Sequence, residues 1–177
     1  MVDAVLGPPP AADPDEGWRA GLTRWATGYR ALLRRNLWVL RIPINAPPIT
    51  PNQIGWLEAG LHSMRHTGLT DQEKLSTMLL LSGFVRSDAT LMADISVAAA
   101  TAGSVLEQVM PAYARTLLRL TDAERFPALH EAIASGAFDD DDDLDAEFDF
   151  GLERLLDGIA ALVGARAPKR AALTKRA

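Results

Sequence analysis

Four short stretches of this chain share one grammar, and together they restrict it to helices. Asp13-Pro14-Asp15-Glu16 offers an N-cap, a proline at the first helical position and a glutamate at the third. Thr50-Pro51-Asn52-Gln53 repeats the pattern with glutamine, and Thr70-Asp71-Gln72-Glu73 and Thr121-Asp122-Ala123-Glu124 are two further capping boxes. In each, the cap side chain can accept from an orphan backbone N–H while Glu or Gln reaches back to the cap's own N–H. Such signals mark helix starts. No alternating apolar pattern with hairpin turns competes with them. The expected fold class is all-α.

Apolar spacing fills in the helices. Trp18, Leu22, Trp25, Tyr29 and Leu32 form one stripe ending near Asn36, and Leu57, Leu61 and Met64 line a short helix that stops before Gly68. A long helix follows Thr70, with Leu75, Met78, Leu79 and Ser82 on one side and Leu81, Phe84, Val85 and Met92 on the other. Being apolar on both sides, it should be buried on both. Leu106, Met110, Tyr113, Leu117 and Leu120 give another stripe, in which Pro111 predicts a kink. Phe148, Gly151, Leu152, Leu155, Leu156, Ile159, Leu162 and Val163 line a last helix. The expected organisation is a connection over 1–14, one helical domain over 15–165 and a basic, disordered tail over 166–177. The proline-rich loop from Arg41 to Pro51 interrupts the domain.

Composition excludes several function classes. The net charge is −5, and the five aspartates Asp139 to Asp143 match all of it. The remainder is balanced, which gives no electrostatic case for nucleic-acid binding by these residues. The chain has no cysteine, so thiolate catalysis, disulfides and zinc–thiolate sites are out. The stretch Met78 to Val85 is far shorter than the ~20 apolar residues of a spanning helix, and no secretory signal is visible. No membrane partner is expected, and the location expected is the cytoplasm.

The order of segments is specific. A tryptophan-bearing helix leads into Leu32-Leu33-Arg34-Arg35-Asn36-Leu37-Trp38 and a proline loop, then Asn52 to Leu61, Thr67-Gly68-Leu69-Thr70 and Glu73 to Arg86. Phe126-Pro127-Ala128-Leu129, Ser135-Gly136-Ala137-Phe138 and Phe148-Asp149-Phe150-Gly151-Leu152-Glu153-Arg154-Leu155-Leu156-Asp157-Gly158 complete it. From about Trp18 to Leu162 this resembles the C-terminal domain of tetracycline-repressor-family transcriptional regulators, most specifically in the last segment. The resemblance implies an effector-binding domain that forms a homodimer through a four-helix bundle, in a repressor that is not an enzyme. Its implied interface residues are Phe84, Met92, Phe148, Leu152, Leu155 and Ile159; the alternative is that such residues face their own subunit's core. The effector would be small and apolar or amphipathic. Candidate contacts are Trp25, Tyr29, Trp38, Arg41, Met64, Leu75, Met78, Leu79 and Ser82, each of which could instead be ordinary packing. The polar residues that hold tetracycline and magnesium in the founding member are not matched, and Gly60 stands where a glutamine is expected. Neither a chelated drug nor a cofactor is implied.

Family members carry a helix-turn-helix head before this domain. Met1 to Gly7 corresponds to the end of the helix that links the two. A misplaced start, a trimmed chain and a natural headless protein all fit, and DNA is a partner only if a head is restored. A headless protein would form mixed dimers with full-length regulators or carry a small ligand. His62 and His66 stand four apart, a spacing that can chelate a metal on a helix, but no third ligand is near. The aspartate run lacks the glycine-and-glutamate pattern of an EF-hand, and Asp149, Glu153 and Asp157 read as one solvated face. No metal site is expected.

Overall fold

The computed structural model describes residues 2–44, 47–105, 108–139 and 144–174; at 144 and 167–174 it describes the backbone alone. Among the described residues every regular element is a helix: α1 (Val2–Leu6), α2 (Trp18–Arg35), a 3-10 turn (Leu37–Arg41), α3 (Pro51–Ser63), α4 (Asp71–Thr101), α5 (Val109–Leu120), α6 (Pro127–Ala134) and α7 (Leu144–Thr174). None of these helices is long and apolar enough to cross a membrane.

Two of the four expected helix starts hold. At α4 the reciprocal box is complete: Glu73 N–H donates to Thr70 Oγ1 at 3.2 Å, and Thr70 N–H donates to Glu73 Oε2 at 2.8 Å. At α3 Thr50 N–H donates to Gln53 Oε1 at 3.4 Å, but a distant residue supplies the stronger cap. The carboxylate of Asp3 accepts Asn52 N–H at 2.9 Å, which ties α1 to the start of α3.

The other two starts are turns. Asp13 accepts Asp15 N–H at 3.0 Å, Glu16 pairs with Arg24, and α2 opens later, after an extended Gly17. Thr121 ends α5, its hydroxyl donating back to Leu117 O at 2.8 Å, while Asp122 accepts Arg125 N–H at 2.9 Å. Pro127, preset for the first helical position, then starts α6. An Asp or Thr side chain satisfies a turn N–H as readily as a helix N–H, so the signal alone does not choose. Pro111 lies in the first turn of α5, where no intrahelical bond is lost, so the expected kink is absent. Leu106 lies outside the described residues, as do Asp140 to Asp143. The last helix continues to Thr174, past the point where a tail is expected, through alanine, lysine and arginine residues that favour helix.

The chain divides into two compact units, Met1–Leu91 with Phe148–Ala177, and Met92–Glu147. In the larger unit the core joins Leu22, Trp25, Leu32 and Leu33 of α2 to Trp56 of α3, then to Met78, Leu81, Val85 and Ala89 of α4 and Phe148, Leu152, Leu156 and Ile159 of α7. Each large apolar side chain sealed there contributes about 1.5–3 kcal/mol. Only one side of α4 is covered within this unit: Leu75, Leu79, Leu80 and Leu91 are exposed, against the expectation of burial on both sides.

A charge lies inside this core. The buried guanidinium of Arg30 pairs with Asp88 through Nε at 2.7 Å and sits 4.1 Å from the Phe148 ring centre. Phe148 stacks on Phe84 at 5.3 Å, and Gly151 admits Phe84, since a Cβ there would lie 2.7 Å from its ring. Outside the core, Arg19 binds Glu153 and Asp157, and Arg166 binds Glu73, fastening α7 to α2 and α4.

In the smaller unit Tyr113 and Phe138 meet at 6.2 Å, and Thr121 Oγ1 lies 3.0 Å from His130 Nε2.

Candidate functional site

Trp25 and Tyr29 lie one turn apart on α2, so both rings lean to the same side. There they meet Trp56 of α3. The centroid separations are 5.3 Å for Trp25–Tyr29, 5.8 Å for Trp25–Trp56 and 5.5 Å for Tyr29–Trp56, with the two indoles edge to face. Edge-to-face packing suits the ring quadrupoles. Both indole N–H groups are satisfied. Trp25 donates to Trp56 O at 2.7 Å, and Trp56 donates to Gly7 O at 3.1 Å, at the end of α1. The cluster is therefore joined by hydrogen bonds to the N-terminal helix.

Met78 of α4 closes the cluster. Its Cε would lie 2.2 Å from a Cβ at residue 60, and Trp25 Nε1 would lie 3.5 Å from the same point. Gly60 thus lets three helices meet, and a longer residue there would displace the thioether. Tyr29 is half-buried; burial pushes its phenol above its ordinary value, with Arg86 opposing that shift. Arg86 also donates to the carbonyls of Val39, Leu40 and Ile42 at 3.2, 3.0 and 3.0 Å, which fixes the 3-10 turn against α4.

The expected ligand residues divide in two. Trp25, Tyr29, Met64 and Met78 share the core around this junction. Trp38 and Arg41 are exposed on the 3-10 turn, Leu75 and Leu79 are exposed on α4, and half-buried Ser82 donates to Leu79 O at 3.1 Å. Three contributors escaped the sequence reading: Trp56, Arg86 and the space at Gly60. Trp56 lies off the Leu57–Leu61–Met64 stripe, and only its being a tryptophan in a short helix could have flagged it.

The expected interface residues need a correction. Phe148, Leu152 and Ile159, at 1%, 2% and 6% exposure, lie in the chain's own core. Helical period identifies an apolar face, not which molecule covers it. Phe84, Met92 and Leu155 are half-buried. The apolar residues that α4 and α7 do expose include Leu79, Leu80, Phe150 and Leu162. Gly83, Gly158 and Gly164 stand beside open space.

The competing constellations resolve simply. His66 lies beyond the end of α3, so it does not share a helix with His62, and its Nε2 accepts Arg65 Nε–H at 3.0 Å. No group of three potential metal ligands occurs among the described residues. Asp157 is held below the ordinary carboxylate value by Arg19 and then Arg154, so this α7 face carries ion pairs.

Known proteins repeat this architecture. Residues 9–163 match the family described as "Tetracyclin repressor-like, C-terminal domain". The HTH-type transcriptional repressor DrrR1 of Streptomyces coeruleorubidus is 32% identical over 180 residues, covering 94% of this chain; the chain spans 61% of that relative's length. The structure of apo ActR from Streptomyces coelicolor superposes with a TM-score of 0.68 at 25% identity, over 92% of this chain and 73% of ActR. ActR in complex with actinorhodin gives 0.69 with the same identity and coverage. The family match, the repressor relative and the shared helical fold together show that this chain belongs to the tetracycline-repressor family, as its C-terminal domain.

Proposed function

We propose that this chain is the effector-sensing and dimerising part of a transcriptional repressor. The observation that carries this reading is the 32% identity with the repressor DrrR1 across 94% of the chain. The effector is a small apolar or amphipathic molecule, taken up beside Trp25, Tyr29, Trp56 and Met78, with Trp38 and Arg41 at the edge. Aromatic and thioether side chains form an adaptable apolar wall. ActR, of the same fold, is known in complex with actinorhodin, which makes that compound a reasonable first probe.

An effector shifts a regulator only by binding two of its states unequally. Trp56 supplies a physical route. Its ring belongs to the aromatic cluster, while its N–H holds the end of α1. In a chain carrying a DNA-reading head, α1 would lead to that head, so a ligand that moves Trp56 also moves the connection. The dimer forms through the exposed sides of α4 and α7, where Leu79, Leu80, Phe150 and Leu162 remain uncovered. DNA is a partner of the headed form, and the location is the cytoplasm.

Tryptophan fluorescence titrated with actinorhodin tests the sensing half. Saturable quenching that Tyr29→Ala weakens supports it; quenching unchanged in that variant places the ligand elsewhere. Light scattering tests the dimer: twice 19.1 kDa is expected, falling to one chain in Leu79→Asp with Phe150→Asp. A wild-type monomer at every concentration would remove the dimer from the proposal.

A further inference from the structure

A cleft of about 330 Å³ opens between α1, the proline connection and α2. Val5 and Leu6 of α1, Pro8, Pro10, Leu32 and Trp56 supply its apolar lining. Arg35 and Asn36, at the end of α2, add the polar lining. Trp56 is the only one of these residues that also belongs to the aromatic cluster.

The walls are held in place. Trp56 Nε1 donates to Gly7 O at 3.1 Å, and Asp3 accepts Asn52 N–H at 2.9 Å, so α1 is clasped to α3 at both ends. Further along, Arg24 Nη1 donates to Pro10 O at 2.7 Å while Glu16 holds Arg24 from the other side. Gly28 lets the connection close on α2, because a Cβ there would lie 2.7 Å from Pro10 Cγ. A cleft fixed by four polar contacts loses little freedom when filled, which favours ligand binding.

Its chemistry is amphipathic and cationic. Proline rings and an indole make flat apolar surfaces. Arg35 commits Nε to Ala31 O at 3.2 Å, which leaves its terminal nitrogens for an anion. Asn36 donates through Nδ2 to Leu32 O at 3.0 Å. A guanidinium fork suits a carboxylate or sulfonate.

We propose that this cleft is a second small-molecule site, for an aromatic monoanion whose ring lies between Pro8, Pro10 and Trp56 and whose acid group pairs with Arg35. The site needs neither the aromatic cluster to bind an effector nor a DNA-reading head. Its occupant would touch α1 and Trp56 together, and so would stiffen the clasp between α1 and α3.

The probe is 8-anilinonaphthalene-1-sulfonate with the whole chain, followed by dye fluorescence and by amide and indole shifts in a nitrogen-15 spectrum. Saturable binding is expected, with the largest shifts at Gly28, Leu32, Asn36 and the Trp56 indole. Arg35→Gln should weaken it about tenfold, the scale of one charge-assisted contact, at unchanged melting temperature. Leu120→Ala, at the exposed end of α5, should leave it unchanged. Val5→Phe, which narrows the cleft from α1, should also weaken the dye and serves if the Arg35 variant unfolds. Equal affinity in both cleft variants, shifts confined to α4 and α7 or to Trp25 and Tyr29, or no saturable binding would each overturn the site.

Discussion

The two units of this chain use apolar residues in opposite ways. The larger one seals Leu22, Leu33, Met64, Leu81, Val85, Phe148 and Leu156 almost wholly from solvent. In Met92–Glu147 the buried hydrophobic residues among those described are Ala93, Ala99 and Ala114. Its larger side chains Val97, Val105, Met110, Tyr113, Leu118, Leu120 and Phe126 are exposed. Burying alanines removes little apolar area from water, and isolated helices of the length of α5 are marginal. The difference teaches that fold stability resides in α2, α3, the first part of α4 and α7, where the aromatic cluster also sits. The candidate site is built on the stable unit.

Removing a core aromatic should separate the units most sharply. Phe148→Ala should cost about 3–5 kcal/mol in urea unfolding, against under about 0.5 for Tyr113→Ala. Equal losses would end the distinction. Asp88→Ala should come next, at about 3 kcal/mol, because it takes the carboxylate partner from a buried guanidinium. A neutral result would mean that Arg30 is held by its remaining contacts.

Hydrogen exchange tests the same contrast without mutation. Amides from Leu22 to Leu33 and from Leu81 to Val85 should exchange only through global unfolding, while those of α5 and α6 exchange through smaller openings. Uniform protection would contradict it. Acid should act on the larger unit. Arg24 lowers the Glu16 carboxyl, Arg166 lowers that of Glu73, Arg19 lowers that of Asp157, and hydrogen bonds led by Thr50 lower that of Asp3. Their folded values lie below the unfolded ones, so their support is complete above the ordinary values of 3.8 and 4.5. It is lost as pH falls through the depressed values, because the unfolded chain then takes up protons first. A melting temperature that falls below about pH 4 and flattens in Asp3→Asn with Glu73→Gln checks this. The smallest effect belongs to Leu79→Ser at high dilution, within about 0.5 kcal/mol, since the native side chain is already 76% exposed.

Much of the fold was legible because helical period and capping chemistry are local. The stripe Trp18 to Leu32 maps onto α2, and the Thr70 box is made as written. The starts at Asp13 and Thr121 misled because the same side chains cap turns. Within the candidate site, Trp25, Tyr29, Met64 and Met78 could be found by residue type and spacing. Trp56 could not, because its role comes from rings on another helix and from a carbonyl 49 residues away.

By itself the sequence determined the helical class, the order of helices and the family, since each rests on neighbouring residues or on a linear pattern. The tertiary structure alone decided which residues of an apolar stripe are covered. Phe148, Leu152 and Ile159 went to the chain's own core, and Leu79 and Phe150 were left outside. It also decided that Asp3 would cap α3 and that Pro10 would close on Gly28. A periodic pattern specifies a direction around a helix axis, whereas burial and a proton's acceptor depend on where distant segments come to lie.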